Sequence, residues 1–354
     1  MLHGSSFAAA ILAAALSLPG GAVAQYVDVL ERPAQNSAHA ASTLLNGLAL
    51  AGARLVAAGK RGHILYSDDS GASWRQARVP VSSDLTSVYF PTAQHGWAVG
   101  HDGVVLHSED GGVNWRLQLD GIRAIRVMED YYRSQPQRGG SSEEGAKLAA
   151  DLAQFAADGA DKPFLDVWFE DERTGFIVGA FGLVFRTEDG GRNWQPWYHR
   201  ADNPRGLHLY ALKPAGGALY AVGEQGLVLK LEHGAQRFRT LATGYGGTYF
   251  GVVGSGNAVL VFGLRGNIHR STDGGSSWHK IDAGVLGNIN AGSAAPDGSL
   301  YLVTQTGQIL FSRDAGASFV VSAMETPMSA GAVAVQEATL VLAGRRGVHT
   351  QRLR

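Results

Sequence analysis

The pattern Ser/Thr-x-Asp-x-Gly-x-x-Trp recurs along the chain, and it limits the possible folds more than any other feature. Residues 67–74, 108–115, 187–194 and 271–278 carry it in full. Residues 312–319 end in phenylalanine instead, and residues 231–238 keep only the glycine and the aromatic. The carboxylates are Asp69, Asp110, Asp189, Asp273 and Asp314, and the aromatics are Trp74, Trp115, Trp194, Trp278 and Phe319. An aspartate here can accept hydrogen bonds from the backbone of its own turn. The glycine supplies a positive φ. The hydroxyl ties the turn to the incoming strand, and the aromatic opens the outgoing strand with a large apolar body to bury. Each copy therefore reads as one hairpin turn.

A second element precedes each copy: Gly-x-x-Gly followed by an apolar run. It stands at 59–62, 100–103, 179–182, 223–226, 263–266 and 344–347, with Thr304-Gln305-Thr306-Gly307 as a variant. These seven read as a second set of hairpin turns. Trp74 and Trp115 are 41 residues apart, Phe238 and Trp278 are 40 apart, and Trp278 and Phe319 are 41 apart. Several short strands repeating at that period are the mark of a propeller. Trp115 to Trp194 is 79 residues, too long for one unit. The expectation is an all-β, seven-bladed β-propeller over 26–354, with a small insertion between blades two and three.

The insertion is assigned to 121–162 and reads as a helical hairpin. Ile122, Ile125, Met128 and Tyr132 recur at helical spacing, Ser141-Ser142-Glu143-Glu144 forms a capping box, and Leu148, Leu152 and Phe155 make an apolar stripe. Residues 133–140 are its polar turn, and Gly159 is a stop. The last unit has a Gly-x-x-Gly turn but no aspartate turn. Residues 26–33 alternate like a strand, and are assigned as the closing strand of blade seven.

The leader fits a secretory signal over 1–24: an apolar run from Phe7 to Leu18, a Pro19-Gly20-Gly21 break, and Ala22-Val23-Ala24 before Gln25. The run is short for a membrane span, so the mature chain is expected to be soluble and periplasmic. The formal net charge of −1 argues against a general nucleic-acid binder. With no cysteine there is no disulfide, thiol nucleophile or zinc–thiolate site. The histidines show no His-x-x-x-His pair, and Asp68-Asp69-Ser70-Gly71 lacks the later glutamate of a calcium loop. No metal or cofactor is assigned.

Binding is expected on the face that carries the Gly-x-x-Gly turns. Lys60, Arg61, Arg345 and Arg346 belong to blades that become neighbours on closure, and Arg265 holds the equivalent turn of blade five. Together they read as a basic patch for an acidic partner. The link from blade three to four carries Trp197, Tyr198, Arg200 and Arg205, a composition frequent at interfaces. Tyr245 and Tyr249 flank a Gly-Gly link, with Tyr249 assigned to ordinary core packing.

The aspartate turn resembles the Asp-box of sialidases, sortilin-type receptors and other propellers, which marks structure and not activity. A sialidase or related glycoside hydrolase would need an arginine triad and two carboxyls facing each other across the channel. Asp102, Glu224 and Asp202 are the nearby carboxyls, and they sit in outer turns. A sugar- or peptide-binding receptor is a further alternative. The combination of Ala-Val-Gly-x-x-Gly with Ser-x-Asp-Gly-Gly-x-x-Trp in one unit, as over 98–115, resembles the photosystem II stability/assembly factor family. The closer likeness is to its relatives in non-photosynthetic bacteria. That resemblance implies a lumenal or periplasmic propeller without catalysis; a monomer is expected. It also implies an arginine-rich face, to which Arg61, Arg265, Arg345 and Arg346 correspond, and a membrane-protein client. In a non-photosynthetic host an inner-membrane transporter of the resistance-nodulation-division type is the implied candidate.

Overall fold

In the computed structural model, which describes residues 27–135, 142–325, 330–336 and 339–353, seven antiparallel sheets follow one another along the chain. Blade one is Leu45–Ala51, Arg54–Gly59, Ile64–Ser67 and Arg75–Gln76, paired in that order. The innermost strands of blades two to seven are Leu85–Tyr89, Phe164–Phe169, Leu209–Ala215, Tyr249–Ser255, Ile289–Ala294 and Ala330–Gln336. They line a central channel. Six sheets have four strands, and the seventh has three among the described residues. Helix α1 (Gly121–Ser134) and helix α2 (Ser142–Asp158) stand between blades two and three. The segment 1–24 assigned as a leader and the start of the assigned capping box at Ser141 lie outside the described residues, as does most of the assigned polar turn, at 136–140.

The second strand of each blade is buried on both faces, which is why it reads as a near-continuous apolar run. Gly96–Gly100 and Ala258–Gly263 are buried at every position. Between blades the side chains form separate clusters. The one joining blades two and three is the largest, and it takes in both helices. At its centre Trp97, 0% exposed, lies flat between His107 and Phe169, with ring centroids 4.4 and 3.6 Å away. Helix α1 starts at Asp120, whose side chain accepts from the Arg123 N–H at 2.8 Å. It buries Ala124, Met128 and Tyr132, whereas Ile122 is 46% exposed. The inward stripe thus starts at Gly121 and Ala124, each one position before the isoleucines at 122 and 125. Helix α2 buries Leu148, Leu152 and Phe155 and ends at Gly159, where φ is +80°.

The five aspartate turns share the bonds of their hydroxyl and carboxylate, whereas the indole bond to the turn glycine is made in blades one, two and five. In blade one the Ser67 hydroxyl donates to Asp69 Oδ1 (2.7 Å) and accepts from the Gly71 N–H (2.8 Å). Asp69 also accepts from the N–H and hydroxyl of Ser73, and the Trp74 indole donates to the Gly71 carbonyl. Asn114, Asn193, Ser277 and Ser318 take the place of Ser73 in the other four turns. This polar residue just before the aromatic is present in all five copies of the sequence, and the pattern set out above leaves its position open.

These bonds hold the carboxyls below their ordinary range. Asp69 is held at about 2, chiefly by the Ser73 hydroxyl and N–H. Asp273 and Asp314 are lowered by Ser277 and Ser318 in the same way. In Asp110 and Asp189 burial pushes upward, and hydrogen bonds from Asn114 and Asn193 outweigh it. A carboxyl lowered by folding stabilises the fold above its unfolded pKa of about 4, and that contribution is lost as pH falls through the folded value. The melting temperature should therefore hold between about pH 7 and pH 5, and fall steeply between about pH 4 and pH 2. A profile flat to pH 2 would remove these turns from the account of stability.

The segment assigned to close blade seven does not do so. Its described part, 27–33, is turn and coil. The Asp28 carboxylate accepts from the Leu30 N–H (2.9 Å), which folds the chain back on itself. The Val29 carbonyl then accepts from Ser82, and the Ala34 N–H donates to Val79, so the segment runs along the seam of blades one and two. Leu30 packs there beside Val79 and Val81. The ring closes instead by packing of Ala330–Gln336 against Leu45–Ala51, with the Gln336 amide donating to the Ala53 carbonyl at 2.6 Å.

Candidate functional site

Five of the Gly-x-x-Gly segments form the same 3₁₀ turn. In blade one the Gly59 N–H donates to the His63 carbonyl, and the His63 N–H donates to that of Lys60. The closing glycine is required by close approach. A Cβ on Gly226 would lie 1.7 Å from the Tyr245 carbonyl oxygen, because the link to the next blade passes directly over it. The residue before that glycine is left-handed in every case: Arg61 (φ 57°), Asp102 (57°), Phe181 (55°), Gln225 (51°) and Arg265 (55°). A side chain held there costs about 1–2 kcal/mol relative to glycine. All five turns nonetheless display a large side chain on one face.

Going round from blade five through six and seven to one, the tips carry Arg265, the uncharged Gln305 and Thr306, then Arg345, Arg346, Lys60 and Arg61. Blades seven and one are neighbours through their inner strands. The five cations are exposed, and none has an ion pair among the described residues. Asp84 lies beside this arc but accepts from the Arg61 backbone N–H at 2.8 Å. Asn288 does the same for the N–H of Arg265. Close by, on the link between blades five and six, Leu286 is 92% exposed. Sequence reasoning passed over it, because a Val-Leu pair between two glycines gives no pattern.

The other half of the face is built differently. Trp197, expected at a partner surface, has its ring packed inside the protein. It is 4% exposed, edge-on to Phe176 at 5.1 Å, with the guanidinium groups of Arg186 and Arg200 each 5.0 Å from its ring. Arg200 also donates to the Gln236 carbonyl. The Tyr198 hydroxyl bonds Asp151 of helix α2 at 3.1 Å, so this link seats the helical hairpin. Arg205 stays exposed and donates to Gln225 Oε1 at 2.6 Å. Phe181, 43% exposed, lies between Phe155 of the hairpin and His208. From it a row of rings, His208, Tyr210 and Phe250, leads to the channel mouth. Burial and the nearby Glu224 carboxylate raise the Tyr210 phenol. Tyr249 is fully buried and bonds Thr243 and His269, and the Tyr245 hydroxyl donates to the Leu264 carbonyl.

The channel at this end is a cavity of about 160 Å³ lined by Asn46, Ser87, Asp166, Tyr210, Lys213 and Asn290, among others. Asp166 is buried and accepts from Ser87, from the N–H groups of Val167 and Leu212, and from Lys213 at 2.7 Å. Glu224 accepts from the N–H of His208 and lies 3.0 Å from its ring nitrogen, and Asp202 pairs with Arg237 at 2.6 Å. Each of these carboxylates is committed to a protein donor, and Asp102 sits in the outer turn of blade two. This arrangement does not supply the facing acid and base of a glycoside hydrolase.

Three comparisons place the chain among known proteins. The family model described as photosynthesis system II assembly factor YCF48 matches residues 45–129 and 154–327, skipping most of the helical hairpin. The photosystem II assembly lipoprotein Ycf48 of Synechococcus sp. (strain CC9902) is 26% identical over 147 residues. That match covers 40% of this chain and 44% of the other, so the chain spans less than half the length of that relative. A solved YCF48 bound to a D1 peptide superposes with a TM-score of 0.63 at 16% identity, covering 89% of this chain and 94% of that one. YCF48 from Cyanidioschyzon merolae gives 0.63 at 15%, covering 91% and 98%. The WD40 propeller domain of Doa1 gives 0.61 at only 8%, covering 90% and 95%, so this likeness lies in the fold alone.

Proposed function

Because the chain belongs to the family of the photosynthesis system II assembly factor YCF48, we propose that it is a non-enzymatic scaffold that holds a segment of a membrane-protein client during assembly or operation. The observation that carries this reading is the arc of Arg265, Arg345, Arg346, Lys60 and Arg61, exposed on one face without ion pairs among the described residues. An arc of that charge attracts an acidic segment, and Leu286 beside Arg265 offers it an apolar contact. A solved relative carries a D1 peptide, which supports binding of a client segment in place of a small substrate. Arg205 extends the surface on the hairpin side. The leader over 1–24 supports export to the periplasm, and no helix among the described residues is long and apolar enough to cross a membrane. The scaffold acts as a single copy, and a polytopic inner-membrane protein such as a resistance-nodulation-division transporter is the proposed class of client.

The test is affinity capture from detergent-solubilised host membranes, read by mass spectrometry, with the parent chain and an Arg345→Glu/Arg346→Glu variant. The parent should enrich one dominant membrane protein. The variant should fold normally, since neither side chain bonds to another among the described residues, and should capture at least about tenfold less, because two attractive contacts become repulsive. Equal capture by both chains would remove the arc from the reading.

A further inference from the structure

On the opposite rim, at the seam of blades two and three, two histidines and a glutamate converge. His95 stands in the turn between the first two strands of blade two, His107 in the third strand, and Glu109 in the aspartate turn. His95 Nδ1 and His107 Nε2 are 3.4 Å apart, and donor atoms of all three residues lie within 4.8 Å of one another. His107 is fixed by its stack on Trp97, and the His95 ring lies over His107 at 5.5 Å with a tilt of 25°. Zinc–imidazole bonds of about 2.0–2.1 Å in a tetrahedron set neighbouring nitrogens about 3.3–3.4 Å apart. The imidazole pair already has that spacing. Glu172 of blade three lies 3.9 Å from His95 Nε2, where a carboxylate can steady a ligating histidine from outside.

We propose that His95, His107 and Glu109 form a binding site for a borderline divalent transition metal of the zinc class, with one position left to solvent. Arg116 is the switch in this site. Its guanidinium now donates to His107 Nδ1 at 3.0 Å and to both oxygens of Glu109 at 2.6 and 2.9 Å. Guanidinium only donates, so Nδ1 is the accepting nitrogen and Nε2 bears the proton. Loading a metal on Nε2 moves that proton to Nδ1, where Arg116 has nothing left to donate to. Arg116 is exposed and swings outward, which releases Glu109 to the ion. The metal and the arginine are competing cations for one set of donors.

The experiment is calorimetric titration of the mature chain with zinc chloride in a non-chelating buffer at neutral pH, together with melting curves with and without zinc. The parent should take up about one ion per chain and melt higher with zinc present. His95→Ala should bind at least about tenfold more weakly and lose the zinc-dependent rise. His95 is chosen because it is only partly buried, whereas replacing the packed His107 endangers folding. Arg116→Gln should bind several-fold more tightly, the opposite of what loss of a merely structural ion pair predicts. No uptake by the parent, unchanged uptake in His95→Ala, or weaker uptake in Arg116→Gln would each overturn the site.

Discussion

Trp97→Ala is expected to destabilise the protein by about 3–5 kcal/mol, the usual range for an aromatic removed from a closed core. The ring is completely buried and has an aromatic neighbour on each side. Its indole N–H donates to Gln118 Oε1 at 3.1 Å, and the Gln118 amide donates in turn to the Gly190 carbonyl in the aspartate turn of blade three. Removing the ring leaves a cavity between two blades and frees the glutamine that ties them. Trp97→Phe separates the two effects. It keeps a ring in the stack, loses the hydrogen bond and leaves only a small void, so it should cost about 1–3 kcal/mol, less than Trp97→Ala. Urea unfolding measures both. Loss of less than about 1 kcal/mol in Trp97→Ala would mean that the seam of blades two and three closes without the stack.

The second large effect is expected at Asp166, and it has a different origin. Asp166→Ala should cost about 3 kcal/mol, through the polar groups it leaves unpaired. Two backbone N–H groups, from Val167 and Leu212, point at this carboxylate and come from adjacent blades. Ser87 adds a hydroxyl from a third blade, and Lys213 an ammonium. Lys213 is partly exposed to the channel, so water recovers part of its loss, which holds the total below the range for fully buried pairs. Asp166→Asn retains one acceptor oxygen and should recover about half of the loss. Equal stability of Asp166→Ala and the parent in urea would show that channel water satisfies all four donors.

Much of this architecture is legible in the sequence because its determinants are local. Hydroxyl, carboxylate, glycine and indole fall within eight residues, and each bonds inside that window. What the sequence leaves hidden is decided by partners far along the chain. Asp166 and Lys213 are 47 residues apart, and neither sits in a recognisable pattern. Trp197 resembles an interface residue by composition, but Phe176 and Arg186 of its own blade enclose it. Residues 26–33 alternate as a strand should, yet the turn at Asp28 and the bonds of Val29 and Ala34 to Ser82 and Val79 hold the described part of the segment elsewhere. In the candidate docking face, which turns face together follows from the period. Which cations stay unpaired does not, because pairing depends on the acids that neighbouring links bring alongside. His95 and His107 escape notice for a similar reason: twelve residues separate them, and only the pleat of a sheet sets one ring upon the other.

The three-stranded seventh sheet has a consequence for how the ring forms. Every described blade is a continuous stretch of chain, and none borrows a strand from the far end. Each sheet can therefore assemble from contacts a few dozen residues apart, and successive sheets dock on neighbours already formed, much as repeats do in a solenoid. Such contacts carry a small loop-closure entropy and favour rapid formation. One contact differs. The bond from Gln336 to Ala53 spans 283 residues, as does the seam it belongs to. Among the described residues no shared strand guides that seam, so joining the first blade to the seventh is expected to be the slow step of folding.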